Sequence, residues 1–389
     1  MKIALITLEY PPAIMGGAGV YVAQVAPKIV RMGHEVHVIA PGTATCRESR
    51  MEAGVHVHRL PVSVRPALKT LSFWAALPQF FQAIARKAGG FDLVHGNGIS
   101  DLTLSRLAAR QPRIVTVHHL SSSCVRSLRP SLFERVRQPG GELGLVPYLE
   151  PLAIRRAQHI VAVSEYTKQD LVATLRIDPT RISVIRHGAQ PEDYRFPAEE
   201  LARVRQQWQE RNEPLILCVG RLEARKGIDV LLRAFAQALQ ETSATLLLVG
   251  SGSHAPYRAL AAELTIMDRV KFVGHVDTLT LRQLYAACNV FAFPSLLEGL
   301  GIVALEARAA GKFIVASRVG GIPEIVPPGA GLLVPPGDVE SLASALVQSL
   351  DQRPTALPPL TWDEAGQHLC DLYDSALNEW EGLRARIAR

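Results

Sequence analysis

Residues 215–227 read LILCVGRLEARKG, an apolar run that passes directly into a loop of glycines and cations. A run of five apolar residues bounded by glycine predicts a fully buried strand over Leu215–Val219. Apolar side chains at helical spacing follow Gly227 and predict a helix from about Ile228 to Leu239. The stretch therefore predicts a strand, a loop and a helix in that order, which is the repeating unit of a parallel α/β sheet.

The amino terminus follows the same order. Residues 2–8 read KIALITL and residues 15–19 read MGGAG, and we expect the helix after them to end near Gly33. Further apolar runs alternate with helical periods in both halves of the chain, at residues 35–40, 93–95, 114–117, 160–163, 183–186, 244–249, 270–273, 290–293 and 313–316. Because these runs are continuous, we expect parallel strands that are covered by helices on both faces.

These patterns predict two doubly wound, Rossmann-like α/β domains in tandem. The length of 389 residues also favours two domains over one. A charged stretch interrupts the strands near 190–213, so we place the domains at residues 1–195 and 196–360. In residues 361–389, apolar side chains at helical spacing predict an amphipathic helix over Trp362–Arg386. Ligands of such sheets bind beyond the carboxyl ends of the strands, here in a cleft that both domains face.

The composition argues against several classes of protein. Charged residues make up 20% and hydrophobic residues 48% of the chain, so neither disorder nor a coiled coil is expected. No apolar stretch reaches the roughly 18 to 20 residues of a membrane-spanning helix, and the start does not resemble a signal peptide. The five cysteines form no CxxC pair, which fits reduced thiols better than disulfides. We therefore expect a cytoplasmic protein.

The basic residues are concentrated in the first half. The net charge of +6 divides into +10 for residues 1–195 and −4 for residues 196–389. Four arginines lie among apolar residues in one stretch: Arg126, Arg129, Arg135 and Arg137. This distribution predicts contact with an anionic partner, such as the inner face of a membrane, and a solvated basic face is the alternative. Nucleic acid is not expected, because aromatic residues make up only 6% of the chain and do not alternate with basic ones.

The richest candidate site is residues 293–307, FPSLLEGLGIVALEA. The pattern predicts a strand, a turn that carries Glu298, and a helix that begins after Gly301. The free N–H groups and the partial positive charge of a helix N-terminus suit a phosphate. Glu306 lies further along on an apolar helix face, where two sugar hydroxyls would satisfy its carboxylate. Purely structural roles for both glutamates, a cap for Glu298 and a solvated position for Glu306, stay open.

The loop 220–227 supplies a second candidate anion site. Arg221 and Lys226 are expected to converge on a diphosphate, the arginine as a planar fork and the lysine as a point charge. A solvated basic loop is the alternative, but two anion sites in one domain favour a ligand.

The first half offers glycines and histidines. Gly16 and Gly17 depart from the dinucleotide-binding fingerprint, because the last glycine or alanine of that pattern is missing, yet a ligand can approach such a loop closely. His118 ends a predicted strand, where a structural hydrogen bond is the alternative to a ligand contact. His56 and His58 form the HxH pair of the chain and alternate along one predicted strand. No carboxylate completes a ligand set beside them in the sequence, so we expect no metal site.

Glu298 and Glu306, with seven residues between them, resemble the ExxxxxxxE signature of the family 4 retaining glycosyltransferases, which have the GT-B fold. The resemblance extends over nearly the whole chain, through Gly16-Gly17, Thr116-Val117-His118, Val163-Ser164-Glu165, Gly220-Arg221, Lys226-Gly227, Phe293-Pro294-Ser295, residues 319–325, residues 331–334 and Pro336-Gly337-Asp338. One departure is His187-Gly188, where members of the family often have Asn-Gly.

The resemblance implies roles for the residues of the second domain. Arg221 and Lys226 would bind the nucleotide diphosphate and stabilise it as the leaving group. Glu306 would accept hydrogen bonds from the ribose hydroxyls, and Glu298 would contact hydroxyls of the donor sugar. Four backbone N–H groups would lie beside the sugar and the β-phosphate, those of Gly299, Leu300, Gly301 and Ile302.

It also implies roles for the first domain. His118 would approach the donor sugar, while Gly16 and Gly17 would close over the phosphate and the acceptor. The last helix would cross back onto this domain.

We therefore predict a retaining glycosyltransferase that moves a hexose from a GDP- or UDP-sugar to a glycan, lipid or small-molecule acceptor. Preorganised positive groups at the departing diphosphate would be the largest catalytic contribution, so neither a metal ion nor a resident cofactor is expected. Two alternatives stay open. One is an epimerase or a phosphorylase-like enzyme of the same fold, although no lysine stands out for pyridoxal phosphate. The other is a protein that binds nucleotide sugars without turnover.

Overall fold

The computed structural model describes residues 1–13, 16–42, 48–63, 65–104, 111–120, 146–209, 213–355 and 359–387. The chain divides into two compact units. The first holds the described residues up to His187 together with those from Trp362 onward, and the second holds Gly188–Thr361.

The first unit is built on an eight-stranded sheet in the order β3-β4-β2-β1-β5-β6-β7-β8. Its strands are β1 (Lys2–Ile6), β2 (Glu35–Pro41), β3 (Glu48–Glu52), β4 (Val55–Leu60), β5 (Leu93–Asn97), β6 (Arg113–Val117), β7 (His159–Ala162) and β8 (Ile182–Val184). All neighbouring strands pair in parallel except β3 and β4. The unit is therefore a parallel sheet with one antiparallel edge strand.

The second unit is built on a six-stranded, entirely parallel sheet in the order β11-β10-β9-β12-β13-β14. Its strands are β9 (Leu215–Val219), β10 (Thr245–Val249), β11 (Val270–Gly274), β12 (Val290–Phe293), β13 (Phe313–Ser317) and β14 (Gly331–Val334). The two parallel sheets confirm the predicted fold class of paired Rossmann-like α/β sheets.

Helices connect the strands of both units. The described α-helices are α1 (Gly17–Arg31), α2 (Pro66–Ala88), α3 (Val146–Arg155), α4 (Glu165–Leu175), α5 (Ala198–Trp208), α6 (Ile228–Ala238), α7 (Ala255–Glu263), α8 (Thr278–Ala287), α9 (Ile302–Ala309), α10 (Ile322–Ile325), α11 (Val339–Ser349) and α12 (Trp362–Ile387). Four short 3-10 helices are also described, at Leu102–Leu104, Pro179–Arg181, Pro191–Tyr194 and Ala224–Lys226.

Continuous apolar strands and helices with one apolar face form the core of each unit. Every residue of β9 and β10 is buried, as expected for strands covered on both faces. Leu231, Leu232 and Phe235 of α6 are fully buried in the cluster that covers these strands. In the first unit, Phe73 and Phe81 of α2 belong to the corresponding cluster.

Helix α12 packs on α1 within the first unit. Near its start, Asp363 accepts from Lys28 Nζ at 2.7 Å and from Arg31 Nη2 at 2.6 Å, both at the carboxyl-terminal end of α1. Further along, the buried Tyr373 hydroxyl lies 2.6 Å from His95 Nδ1 on β5. A fully buried hydrogen bond of this kind is costly to break, and it ties the last helix to the centre of the sheet.

Two strands were not predicted, β3 and β14. The first, residues 48–52 (ESRME), is exposed and polar, and its pairing partner β4 compensates for the absence of an apolar run.

Within the described residues, no helix combines the length and the apolar character needed to cross a bilayer. The predicted basic cluster of Arg126, Arg129, Arg135 and Arg137 lies outside the described residues.

Candidate active site

The loop after β9 carries Lys226 into the second unit's candidate site. The loop ends in the 3-10 helix Ala224–Lys226, and its backbone is fixed by a hydrogen bond from Leu296 N to the Arg225 carbonyl at 2.8 Å. Lys226 Nζ lies 2.6 Å from Glu298 Oε2, and the two side chains are only 13% and 15% exposed. The ammonium also lies 5.4 Å from the centroid of the Phe293 ring. The structure thus brings together two of the predicted site residues as a largely buried ion pair.

Two glycines, Gly320 and Gly301, shape the turn that carries Glu298. Any other residue at either position would strain the backbone. Gly320 has a φ of +57°, and a side chain there would overlap the carbonyl oxygen of Glu298. Gly301 has a φ of +100°, and a Cβ atom would lie 2.7 Å from the Phe293 ring. Gly321 N donates to the Gly299 carbonyl at 3.1 Å and fastens the turn from the other side. The backbone around Glu298 is therefore closely fitted to its neighbours.

Helix α9 begins directly after this turn. Its N-cap is Gly301, and no side chain makes a capping hydrogen bond there in the described part of the chain. The first-turn N–H groups of a helix have no acceptor within the helix and carry partial positive charge. The predicted residues Gly299, Leu300, Gly301 and Ile302 thus form a turn and a helix start that suit an anionic group, close in sequence to the Lys226–Glu298 pair.

Glu306 lies one turn further along α9 and is partly buried. The Tyr285 hydroxyl on α8 donates to Glu306 Oε2 at 2.9 Å. Burial raises the pKa of Glu306 to about 7, and the Tyr285 hydrogen bond and the charge of Arg282 oppose that rise only partly. A carboxylate that has lost most of its water favours hydroxyl donors that replace that water.

The 3-10 helix Pro191–Tyr194 supplies the remaining neighbours of Glu306. The Tyr194 ring meets the Tyr285 ring edge-on with 5.8 Å between centroids, and Arg282 forms an ion pair with Asp193. Sequence reasoning missed Tyr285, Arg282, Asp193 and Tyr194. Nothing in the spacing of these residues indicates a site, because only the packing of α8 and the 3-10 helix against α9 brings them to Glu306.

Arg221 differs from the other predicted site residues of this unit. Its side chain is 43% exposed, and its guanidinium lies 3.5 Å from Glu223 Oε1. Arg225 Nε lies 2.6 Å from the same carboxylate oxygen and forms a second ion pair with it. Arg221 therefore lies at the surface of the loop, whereas Lys226 lies inside it.

In the first unit, the predicted residues lie at the carboxyl ends of the central strands. Gly16 is the N-cap of α1, and its N–H donates to Glu9 Oε2 at 2.9 Å, while Gly17 begins the helix. His118 follows β6, and its Nε2 lies 2.7 Å from Asn97 Oδ1 at the end of β5. Both regions border a cavity of about 150 Å³ whose lining includes Glu9, Asn97 and His118.

The protonation of His118 follows from its partners. Asn97 Nδ2 donates to Thr7 Oγ1 at 3.1 Å and to the Ala18 carbonyl at 3.0 Å, so Asn97 Oδ1 accepts the proton on His118 Nε2. Burial, with a smaller contribution from nearby His187, lowers the pKa of His118 well below its ordinary value. The ring is therefore neutral at pH 7.

His187, the departure from the Asn-Gly pattern, belongs to the first unit. Its ring is buried between Tyr21 and Trp362, with centroid distances of 5.0 and 5.7 Å. Burial lowers its pKa to about 3, so it is neutral at pH 7.

The sheet places a carboxylate close to the HxH pair, which the order of residues in the sequence does not predict. The sequence offers no carboxylate beside His56 and His58, but in the sheet Glu35 and His37 of β2 lie next to His56 of β4. Parallel pairing joins residues about twenty positions apart, which neighbouring positions in the sequence do not reveal.

Comparison with known proteins decides the family. Residues 15–193 match the family model described as Glycosyltransferase Family 4, and residues 213–352 match the one described as Glycosyl transferases group 1. An uncharacterized glycosyltransferase of Methanocaldococcus jannaschii is 30% identical over 356 residues, which cover 88% of this chain and 87% of the relative. The chain belongs to glycosyltransferase family 4.

Other members of glycosyltransferase family 4 align over similar lengths. The D-inositol 3-phosphate glycosyltransferase of Nocardia farcinica is 30% identical over 404 residues, which cover 96% of this chain and 87% of the relative. The solved structure of sucrose-phosphate synthase from Thermosynechococcus elongatus superimposes with a TM-score of 0.74 at 25% identity, covering 100% of this chain and 99% of that one. The fold is GT-B, and the protein is a glycosyltransferase that takes its sugar from a nucleotide sugar.

Proposed function

We propose that this family 4 enzyme transfers a hexose from a GDP- or UDP-sugar with retention of anomeric configuration, and that the second unit holds the donor. The observation that carries the proposal is the largely buried ion pair of Lys226 and Glu298, 2.6 Å apart, beside the uncapped start of α9. A cation and the N–H groups of a helix start, together in one partly buried site, suit a diphosphate.

The ion pair suggests how the nucleotide sugar binds beside Lys226 and the start of α9. Before the donor binds, Glu298 neutralises the charge of Lys226, which would otherwise be buried alone at a cost of several kcal/mol. The two phosphates bring more negative charge than one carboxylate and take over the ammonium. Glu298 is then available to accept hydrogen bonds from hydroxyls of the donor sugar.

Glu306 would hold the nucleoside. Two ribose hydroxyls match the two oxygens of a carboxylate that has lost most of its water. The hydrogen bond from Tyr285 fixes the orientation of that carboxylate before the nucleotide arrives.

The chemistry would follow from the charge that the reaction creates. The bond between the anomeric carbon and the β-phosphate oxygen breaks, and negative charge develops on the diphosphate. Lys226, Arg221 and the N–H groups of Gly299, Leu300, Gly301 and Ile302 would stabilise that charge, each by roughly a few kcal/mol. The acceptor oxygen forms the new bond on the same face of the sugar, and its proton passes to a phosphate oxygen. No step requires a metal ion.

The first unit would bind the acceptor. Its cavity of about 150 Å³ has apolar walls that include Ile99 and Val117. Carboxylate, amide and imidazole groups also line it, among them Glu9, Asn97 and His118, and they suit hydroxylated molecules such as glycans or small polyols. His118, with its proton held on Nε2 by Asn97, would approach the donor sugar, and Gly16 and Gly17 would close over the phosphate and acceptor. The names of two relatives, D-inositol 3-phosphate glycosyltransferase and sucrose-phosphate synthase, make phosphorylated acceptors worth including in a screen.

We also propose a peripheral contact of this cytoplasmic enzyme with anionic lipid at the inner face of the membrane. The basic stretch of residues 126–137 precedes α3, which exposes Tyr148 at 76% and Leu152 at 45%. Retention by anionic liposomes at low salt supports this contact, and equal recovery from neutral and anionic liposomes contradicts it.

Substitution of Lys226 tests the donor site. Lys226→Ala should weaken the binding of UDP or GDP, measured by calorimetry, and lower kcat of sugar transfer by at least 100-fold, because one stabilising charge is lost. Lys226→Arg keeps the charge but replaces a point charge by a planar fork, so it should recover binding better than kcat.

The control is Arg203→Ala on α5, which removes one positive charge from an exposed position of the same unit. It should change both quantities by less than twofold. If Lys226→Ala also leaves both within twofold, while calorimetry still detects nucleotide binding, the proposed donor site is incorrect.

A further inference from the structure

A cluster of potential metal ligands lies in the first unit, on strands that carry none of the proposed donor-site residues. Glu35 and His37 lie on β2, and His56 lies on the adjacent strand β4. Each of the three offers one ligand atom, and these atoms all lie within 4.8 Å of one another.

Strand register explains why the three side chains meet. His37 pairs directly with His56 in the parallel ladder between β2 and β4. Glu35 precedes His37 by two residues, and side chains two positions apart in a strand point to the same face. The three ligands therefore project from one face of two hydrogen-bonded strands, where a closed ladder limits their movement.

The side chains are already close to a chelating arrangement. The His37 and His56 rings are stacked, with centroids 4.4 Å apart and planes within 9° of parallel. His37 Nε2 lies 2.9 Å from Glu35 Oε1. The His37 side chain is only 6% exposed, whereas Glu35 is 38% exposed, so solvent reaches the carboxylate while the imidazole is held in place.

A hydrogen-bonded relay orients the buried imidazole from behind. His37 Nδ1 lies 2.9 Å from His58 Nε2, and His58 Nδ1 lies 2.9 Å from Ser49 Oγ on β3. When both rings carry their proton on Nδ1, His37 donates to His58 and His58 donates to Ser49. Without an ion, His37 Nε2–H donates to Glu35 Oε1. An ion that replaces this proton leaves the His37 proton on Nδ1, where His58 accepts it, and the Nε2 lone pair then faces the ion.

We propose that Glu35, His37 and His56 form a binding site for a divalent transition-metal ion, with Zn²⁺ as the best-suited ion. Zinc bonds to imidazole nitrogen and carboxylate oxygen are about 2.0 to 2.2 Å long, so tetrahedral ligands stand about 3.3 Å apart. The ligand atoms here need to move by only an ångström or so. Three protein ligands leave the fourth position to water.

The donor set also predicts which ions are rejected. Two imidazoles and one carboxylate suit Zn²⁺, Ni²⁺ and Cu²⁺, whereas Mg²⁺ and Ca²⁺ prefer oxygen ligands throughout. The ammonium of Lys2 lies 3.7 Å from Glu35 Oε2, whereas Oε1 is the oxygen beside His37. The bound ion would link β2 to β4 and stabilise this part of the sheet, with no part in sugar transfer.

Calorimetry on the full-length, tag-free enzyme, first treated with a chelator, tests the site. ZnCl₂ should bind with one ion per chain, and a large excess of MgCl₂ should not compete. His56→Ala and Glu35→Gln should each weaken Zn²⁺ binding at least tenfold. Glu35→Gln keeps the size of a partly exposed side chain and so guards against a variant that fails to fold.

Two histidine variants serve as controls. His368→Ala removes an exposed imidazole on α12 and should leave Zn²⁺ affinity within twofold. His34→Ala should do the same, and it excludes binding by His34 with the amino terminus, which lies 3.4 Å from His34 Nδ1. Co²⁺ in place of Zn²⁺ should give an absorption spectrum without thiolate charge transfer, because no cysteine belongs to the proposed set.

A Ser49→Ala variant tests the relay separately. Loss of the last acceptor of the relay should weaken Zn²⁺ binding several-fold, less than loss of a ligand. The proposal is overturned if Zn²⁺ does not bind at about 100 µM, which would mean a hydrogen-bonded network only. Equal affinity in wild type, His56→Ala and Glu35→Gln, or a thiolate band with Co²⁺, would overturn it as well.

Discussion

The partly buried carboxyl of Glu306 should lower the stability of the protein in its ionised form, which is the form that the proposed nucleotide binding needs. Burial raises the pKa of Glu306 from an ordinary value of 4.5 to about 7. Between these two pH values the folded protein keeps a proton that the unfolded chain has lost. Stability should therefore fall as the pH rises through this window, and above about pH 7 the folded protein has the full cost of an ionised, poorly hydrated carboxylate.

The size of this effect follows from the shift in pKa. A shift of one unit corresponds to about 1.4 kcal/mol, so the carboxylate lowers the free energy of unfolding by up to about 3 kcal/mol at pH 8.5. Glu306→Gln removes the charge, keeps the size of the side chain and keeps an oxygen that accepts from Tyr285. We expect the variant to be more stable than wild type by about 2 to 3 kcal/mol at pH 8.5 and by less than about 1 kcal/mol at pH 5.

Differential scanning calorimetry of both proteins between pH 5 and pH 8.5, without nucleotide, measures the difference. For a unit of this size, about 2 to 4 °C in Tm corresponds to each kcal/mol, so the transition of the second unit should shift upward by roughly 5 to 10 °C at pH 8.5. Adding UDP or GDP identifies that transition in the wild type, because a ligand raises the Tm of the unit that binds it.

Glu263→Gln on α7 provides the matched control, since it removes an exposed carboxylate from the same unit. Its Tm should stay within about 2 °C of wild type at every pH. Curves for wild type and Glu306→Gln that run parallel from pH 5 to pH 8.5 would refute the reasoning, as would a variant that is less stable than wild type at pH 8.5.

Two further predictions concern the same unit. Gly320→Ala should destabilise it by about 2 to 4 kcal/mol in urea or thermal unfolding and lower sugar transfer, because the new methyl group overlaps the Glu298 carbonyl at a φ of +57°. Gly311→Ala, with a φ of +67° but open space around it, should cost only about 1 kcal/mol and spare activity; equal losses in both variants would contradict this reading of the turn. Nucleotide affinity should rise with pH through about 7 as Glu306 ionises, and Tyr285→Phe should move the midpoint of that rise to higher pH, since the hydroxyl lowers the pKa of Glu306. Calorimetric titrations from pH 5.5 to pH 8.5 measure the midpoint, and an unmoved midpoint in Tyr285→Phe would rule out the hydrogen bond as its cause.

Much of the fold could be predicted because its strands are continuous apolar runs. Leu215–Val219 and Val290–Phe293 occur in the structure with the predicted bounds, and α12 begins at the predicted Trp362. The edge strand β3 was not predicted, because its polar residues show no alternation of apolar and polar side chains that would distinguish a strand from a loop. Its β structure comes from pairing with β4 and not from its own composition.

Some residues of the candidate sites could likewise be predicted from the sequence, and others could not. Lys226 and Glu298 could be named from their positions at the ends of two predicted strands, since parallel topology brings such ends to one edge of the sheet. Tyr285, which orients Glu306, lies in a helix whose sequence gives no indication of a site. The carboxylate of Glu35 became a neighbour of His56 only through strand register.

The amino-acid sequence by itself determined the parallel α/β architecture, the order of its elements and the residues at the ends of the strands, because hydrophobic periodicity and turn chemistry are local properties of the chain. The tertiary structure decided which side chains meet: the Lys226–Glu298 pair, the raised pKa of Glu306 and the Glu35–His37–His56 cluster. Each of these depends on burial or on contact between residues about twenty or more positions apart, and both arise only when the elements pack together.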